Sequence, residues 1–167
     1  MNLTDSPMIS NETLLDYYER SNCSVQWLEF NRAFAAELSD GLPAEEIRKL
    51  FYRIGSRIAN ALPLARCDTV DELQQAVNAR WDAIDWGFGT LHEEGEYLNI
   101  THACSPMAVA FGPESGPEWA AGFFEGAYGA WFAGQGMPTG LRVHAEVPAP
   151  SAAASPQILL RLGRFPS

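Results

Sequence analysis

Cysteine and basic residues are both scarce in this chain of 167 residues. The 3 cysteines, Cys23, Cys67 and Cys104, are too few and too scattered to form a disulfide framework. The chain has 11 Lys and Arg residues against 21 Asp and Glu residues, which gives a net charge of −10. Such an acidic surface argues against nucleic acid or an anionic membrane as a partner.

Long apolar runs are also missing. No run is long enough to span a bilayer, and the polar, acidic start of the chain lacks a secretory leader pattern. Together with the unpaired cysteines, these absences predict a cytoplasmic protein in a reducing compartment, without insertion in a membrane.

Glycine and aromatic residues are concentrated in one segment, Ser115 to Gly136. It opens with a capping-box pattern, Ser115 with Glu118, and its aromatic side chains recur at helical spacing. Each glycine inside a helix costs about 1 kcal/mol relative to alanine, so the several glycines need a compensating contact. The sequence predicts a buried helix whose glycine side meets another element of the same domain or a second subunit.

Periodic apolar residues predict three further strong helices, over Ser24–Leu38, Pro43–Leu62 and Thr69–Ile84, with a shorter one over Glu12–Arg20. Residues 1–21 are interpreted as a partly disordered N-terminal extension, and residues 22–167 as one domain.

Alternation of apolar and polar residues predicts four strands, which flank the glycine-rich helix in pairs. They are Phe88–Glu93, Glu96–Cys104, Leu141–Val147 and Gln157–Arg164. Glu94-Gly95 makes a tight hairpin turn, and the alanine-rich run Pro148–Pro156 is a surface loop. The expected fold class is α+β, with N-terminal helices and then an antiparallel four-stranded sheet of ββαββ order packed against helices.

The basic residues are clustered, since five of the eleven are Arg48, Lys49, Arg53, Arg57 and Arg66. Four of them lie in the predicted helix Pro43–Leu62. The cluster is either a solvated helix face or a subunit contact with an acidic patch.

Residues with catalytic or metal-binding chemistry do not form a recognisable pattern. His102 and Cys104 could supply two metal ligands from one face of a strand, but a zinc site needs further ligands at a recognisable spacing. A Cys–His nucleophile has no better support. We assign packing roles to both residues and predict no catalytic residue, cofactor or metal.

A set of ordered motifs resembles one known family. The motifs are Gly55-x-Arg57, Cys67-x-Thr69-Val70-x-x-Leu73, Trp86-Gly87, Glu114-x-Gly116-x-x-Trp119 and Glu125-Gly126-x-Tyr128-Gly129-x-Trp131. From about Val25 onward the chain resembles the D subunit of bacterial cellulose synthase, the BcsD family. The N-terminal extension and the alanine-rich loop depart from the family pattern.

The resemblance implies a non-catalytic scaffold protein that organises synthase complexes for export of crystalline cellulose. It implies a homo-octamer built as a ring of dimers, a proline-rich accessory partner, contact with the synthase complex and contact with glucan chains. Family members have been described in the cytoplasm and the periplasm, and the missing leader favours the cytoplasm. Seven residues are expected at packing or subunit contacts: Arg53, Arg57, Gly122, Gly126, Tyr128, Gly129 and Trp131. The alternative resemblance is to a vinyl-reductase-type domain that binds a ligand or a partner in an apolar pocket.

Overall fold

The computed structural model describes residues 23–146 and 157–165 of the chain. In these ranges five helices and four strands follow one another along the sequence. They are α1 (Val25–Gly41), α2 (Ala44–Ala61), α3 (Val70–Ala83), β1 (Phe88–Glu94), β2 (Tyr97–Ala103), α4 (Met107–Phe111), α5 (Gly116–Gly134), β3 (Arg142–Glu146) and β4 (Gln157–Gly163). The predicted helix Glu12–Arg20 and loop Pro148–Pro156 lie outside the described residues.

The predicted α+β class is confirmed. The four strands form one sheet in the order β1-β2-β4-β3, and every neighbouring pair is antiparallel. Helix α4 was not predicted, because five residues are too few to establish a helical period.

The two predicted capping boxes have different outcomes. The Thr69 hydroxyl accepts a hydrogen bond from the Glu72 amide at 3.1 Å, and the Glu72 carboxylate accepts one from the Asp68 amide at 2.8 Å. The predicted cap at Ser115 is wrong, because Ser115 already has helical backbone angles and its side chain makes no capping bond. Its helical conformation places the side chain away from the amides that a cap would satisfy.

Helices α2 and α5 approach each other backbone to backbone. A Cβ atom on Gly55 of α2 would overlap the Phe123 carbonyl, and one on Gly126 of α5 would overlap the Tyr52 carbonyl. The Ser56 hydroxyl donates to the Gly126 carbonyl across the contact at 3.1 Å. The glycine side of α5 therefore meets another element of the same chain.

The opposite side of α5 faces the sheet. Ile100 and His102 of β2 are fully buried, and Ala145 of β3 and Leu160 of β4 point to the same side. This inner face and α5 enclose a core of aromatic rings that also receives Trp81 from α3. Helix α5 is thus buried between α2 and the sheet.

The outer edge of the sheet at β1 is covered by amide side chains of α3. Asn78 donates to the Gly89 carbonyl at 2.9 Å and accepts from the Gly89 amide at 2.7 Å. Gln74 accepts from the Leu91 amide at 2.7 Å. These bonds satisfy edge groups that could otherwise pair with another strand.

The α2–α5 contact predicts different outcomes for glycines of the same helix. Gly126→Ala should lower the free energy of unfolding by about 1–3 kcal/mol, because the new methyl group must push two backbones apart. Gly134→Ala, at a position with open space around it, should leave stability equal or higher. Urea denaturation of both variants measures the difference, and an equal stability for the two would contradict the close-packing explanation.

Candidate interaction site

The seven residues singled out from the sequence occupy three environments. Gly122 and Gly126 lie in the α2–α5 contact, and Tyr128 and Trp131 are buried. Arg53 and Arg57 are exposed on α2, and Gly129 lies beside the Tyr52 side chain. The structure therefore brings them together along one pair of helices but divides them between core and surface.

Tyr128 lies at the centre of a buried hydrogen-bonded chain. The Trp81 indole N–H donates to the Tyr128 oxygen at 3.2 Å. His102 Nε2 lies 2.8 Å from the Trp86 carbonyl, which can only accept, so this nitrogen carries the proton. His102 Nδ1 is then the acceptor for the Tyr128 hydroxyl at 2.9 Å. All four residues are linked through one defined tautomer of His102.

Burial keeps this network neutral. It lowers the pKa of His102 to about 4, and the bond to the Trp86 carbonyl only partly opposes that shift. Burial also raises the pKa of the Tyr128 hydroxyl well above its ordinary value. His102 is fully enclosed with both ring nitrogens bonded, which agrees with a packing role. In the described part of the chain, no group of three or more His, Cys, Asp or Glu residues could hold a metal ion.

The Trp131 side chain caps the C-terminal end of helix α2. Its indole N–H lies 3.1 Å from the Ala59 carbonyl and 2.9 Å from the Leu62 carbonyl, both of which accept from it. Ala59 lies in the last turn of α2 and Leu62 directly follows the helix, where few main-chain amides remain to donate to the carbonyls. The sequence motif contained Trp131, but its partners more than 60 residues away carried no local signal.

Arg53 and Arg57 are exposed cations of α2. Lys49, one turn earlier, bonds to Glu45 and Glu46, and Arg48 bonds to Glu125. Within the described ranges neither the Arg53 side chain nor the Arg57 side chain makes a hydrogen bond or an ion pair. Two unpaired like charges one helical turn apart, in an acidic protein, are open to an acidic partner.

An open groove of about 450 Å³ lies between α2, α5 and the chain that leads into β3. Tyr52, 45% exposed, lies on one side, over the bare backbone of Gly129. Met137 and Leu141 add apolar surface from the segment after α5. The exposed Tyr52 ring suits contact with another molecule by stacking.

Glu125 closes the floor of this groove. One oxygen of its carboxylate accepts from Arg48 at 2.7 Å and from the Ala145 amide at 2.8 Å, and lies 3.3 Å from His144 Nδ1. A single carboxylate thus joins α2, α5 and β3. The sequence motif around Glu125 did not reveal this role, although a carboxylate in the middle of a glycine-rich apolar helix was an available signal.

A comparison with known protein families identifies the family of this chain. The model of the family of cellulose synthase D subunits matches residues 13–158. The chain belongs to this family, the BcsD family. The match begins within the predicted extension, at residue 13.

Similar proteins carry a matching description. A cellulose synthase operon protein D from Komagataeibacter xylinus is 32% identical over 116 residues, which are 68% of this chain and 74% of the relative. A protein of the same name from Komagataeibacter sucrofermentans is 30% identical over 116 residues, with the same coverage.

A solved structure shares the fold at low identity. The trafficking protein particle complex subunit 3 from Naegleria fowleri, covalently bound to palmitic acid, superposes with a TM-score of 0.52 at 11% identity. The alignment covers 89% of this chain and 95% of that one.

Among the helices that the structure describes, none has the length and apolar character required to cross a membrane.

The buried network predicts a stability cost for Tyr128→Phe. The Trp81 N–H and His102 Nδ1 would both lose a buried partner, so the free energy of unfolding should fall by about 1–3 kcal/mol. Tyr52→Phe is the matched control, because the Tyr52 hydroxyl bonds to no described residue, and should change stability by less than about 0.5 kcal/mol. Denaturation curves that show equal losses would contradict the network's role.

The buried imidazole also predicts a pH dependence. The His102 pKa is about 4 in the folded protein and 6.5 in an unfolded chain. Between these values the unfolded state binds more protons, so lowering the pH from 6.5 to 4 should remove on the order of 3 kcal/mol of stability. His102→Gln should flatten this part of the profile, whereas His92→Gln, at an exposed position, should not. Urea denaturation across this pH range measures both slopes.

Proposed function

We propose that this protein is a non-catalytic scaffold of a bacterial cellulose synthesis and secretion system. It organises synthase complexes so that their glucan chains leave together as crystalline cellulose. The observation that carries the proposal is membership of the BcsD family across residues 13–158.

The interior supports a structural role over a catalytic one. His102 is the residue on which an enzyme hypothesis would depend, and both of its ring nitrogens are bonded inside the core. Its proton is fixed on Nε2 against a main-chain carbonyl. A general base needs a free nitrogen within reach of a substrate, which this position does not offer.

Assembly as a homo-octamer, a ring of dimers, is the quaternary structure that we propose. Arg53 and Arg57 offer unpaired positive charge on a protein whose net charge is −10. An acidic face of another copy complements them, and repetition of that contact around a closed ring joins the subunits. Such a ring presents each groove at Tyr52 several times.

Recruitment through repeated weak contacts follows from such an assembly. A proline-rich accessory protein is already extended before binding and loses little entropy when it docks on an aromatic side chain. Several linked contacts exceed the affinity of one by roughly 10²–10⁴-fold. We propose that this partner and the synthase complex bind at the grooves, in the cytoplasm. Glucan chains contact the assembled ring.

The alternative function is a vinyl-reductase-type domain with an apolar ligand pocket. In this chain the space between α5 and the sheet is filled by aromatic rings. The ring centroid of Trp81 lies 4.7 Å from that of Trp131 and 5.4 Å from that of Phe124. A ligand would have to displace buried aromatic side chains, several of which are held by hydrogen bonds.

Deletion of the gene in its native host tests the proposed function. Cellulose yield and the crystalline order of the fibres should both fall, and the chain supplied in trans should restore them. The Gly134→Ala variant, whose new methyl group meets open space, should restore them as well. Unchanged fibres after deletion, or glucan cleavage by the purified protein, would overturn the scaffold proposal.

The arginine face gives a sharper prediction about assembly. The double variant Arg53→Glu/Arg57→Glu should lower the mass measured by light scattering, because it reverses the charge at the proposed contact. Its circular dichroism should match the wild type, since both side chains are exposed. Arg66→Glu, at a loop position that is 91% exposed, is the matched control. If the double variant keeps the mass of the octamer, then α2 does not form the subunit contact.

A further inference from the structure

The two edge strands of the sheet, β1 and β3, are covered in different ways. Amide side chains of α3 bond to the outer side of β1, at Gly89 and Leu91. The outer side of β3 instead carries a carboxylate, because the Ala145 amide donates to Glu125 at 2.8 Å. An edge strand with open main-chain groups can pair with a strand of another chain, so these contacts decide what each edge can bind.

Two residues of β3 direct their main-chain groups outward. The Ala145 amide points away from β4, since it bonds to Glu125 of α5. Leu91, in the same cross-strand row, points outward in the same way at the other edge of the sheet. Outward and inward residues alternate along an antiparallel strand, so Val143 also directs its N–H and C=O outward. Among the described residues none bonds to the Val143 main chain, and Val143 lines the open groove at Tyr52.

The charges of β3 make this strand complementary to itself. Its sequence is RVHAE, and the residues at its two ends, Arg142 and Glu146, are exposed. If two copies of β3 lie antiparallel about His144, each Arg142 lies opposite Glu146 of the other copy. In the same register Val143 of one copy exchanges two main-chain hydrogen bonds with Ala145 of the other. Both the charges and the outward main-chain groups therefore fit a second copy of this strand.

The present contacts of the two end residues are compatible with such pairs. The Arg142 guanidinium lies 5.8 Å from the centre of the Phe165 ring, and the Arg161 guanidinium lies 3.2 Å from the Glu146 carboxylate. A guanidinium has several N–H donors and a carboxylate has several acceptor positions, so each group can bind a further partner.

We propose that Glu125 blocks the edge of β3 against pairing with β3 of a second copy. Its carboxylate occupies the Ala145 N–H that the self-complementary register requires. Arg48 of α2 bonds to the same carboxylate oxygen at 2.7 Å, and His144 Nδ1 lies 3.3 Å from it. The Glu125 side chain is only 10% exposed. An incoming strand would have to displace this carboxylate and separate a largely buried ion pair, which is strongly unfavourable.

The block determines which surfaces remain for assembly. A β3–β3 contact is isologous, so it would join subunits in pairs through their sheets. With the edge closed, copies of the chain must associate through other surfaces, and the groove at Tyr52 stays free for a different partner. The block acts within a single subunit, so it holds for any number of subunits in the wild-type assembly.

Removal of the carboxylate tests the block. Glu125→Ala should raise the mass measured by light scattering to about twice the wild-type mass or more, because an isologous contact joins assemblies in pairs. Addition of Arg142→Glu should return the mass to the wild-type value, since like charges would then lie opposite each other. Tyr128→Phe, which weakens the core but leaves the β3 edge intact, is the matched control and should keep the wild-type mass.

Three results would overturn the proposal. The first is a wild-type mass for Glu125→Ala when its circular dichroism matches the wild type. The second is association that persists after Arg142→Glu, because it would not use the self-complementary register. The third is equal association of Tyr128→Phe, which would make lost stability the cause.

Hydrogen exchange of the wild-type protein tests the edge even if Glu125→Ala fails to fold. Exchange is measured at single residues by mass spectrometry with electron-transfer fragmentation. The Ala145 amide should be protected by Glu125, and the Val143 amide should exchange about 10-fold faster or more, because it lacks a partner. Equal protection of the two amides would mean that a second strand already covers the edge, and the proposal would be wrong.

Discussion

The contact between the backbones of α2 and α5 is the constraint on which the rest of the structure depends. Gly55 and Gly126 let the two helices meet without side chains between them, so α5 lies deep enough to reach the sheet with its other side. Dispersion contacts of this kind are individually weak and collectively large, and they are lost steeply with distance. One methyl group added at either glycine would therefore push α2 and α5 apart and disturb the packing of α5 against the sheet.

Because α5 is fixed so closely, its side chains reach hydrogen-bond partners on or beside α2, α3, β2 and β3. Tyr128 bonds to Trp81 of α3 and His102 of β2, Trp131 ends α2, and Glu125 holds the β3 backbone. A buried polar group without a partner costs more than a neutral hydrogen bond gains. These bonds therefore contribute less to raw stability than to the selection of one arrangement of helices and sheet.

The sequence predicted the elements better than the contacts between them. Helix α2 was predicted over Pro43–Leu62 and observed over Ala44–Ala61, because its apolar period is regular. The glycines in α5 predicted a close approach, but the period could not name α2 as the neighbour. The Arg48–Glu125 pair joins residues 77 positions apart, and the predicted cap at Ser115 failed because local spacing does not fix backbone angles. Contacts set by tertiary structure were thus outside the reach of spacing rules.

The same helix links the core to the surface that we assign to partners. Gly129 and Glu125 line the groove at Tyr52, whereas Gly126 and Tyr128 on the same two turns are locked in the interior. A rigid helix transmits a displacement of its buried side to its exposed side, because closely packed interiors have no slack to absorb it. A core substitution in α5 should therefore disturb the groove as well as stability. Surface substitutions on α2, such as those at Arg53 and Arg57, separate the two effects, since they leave the glycine contact intact.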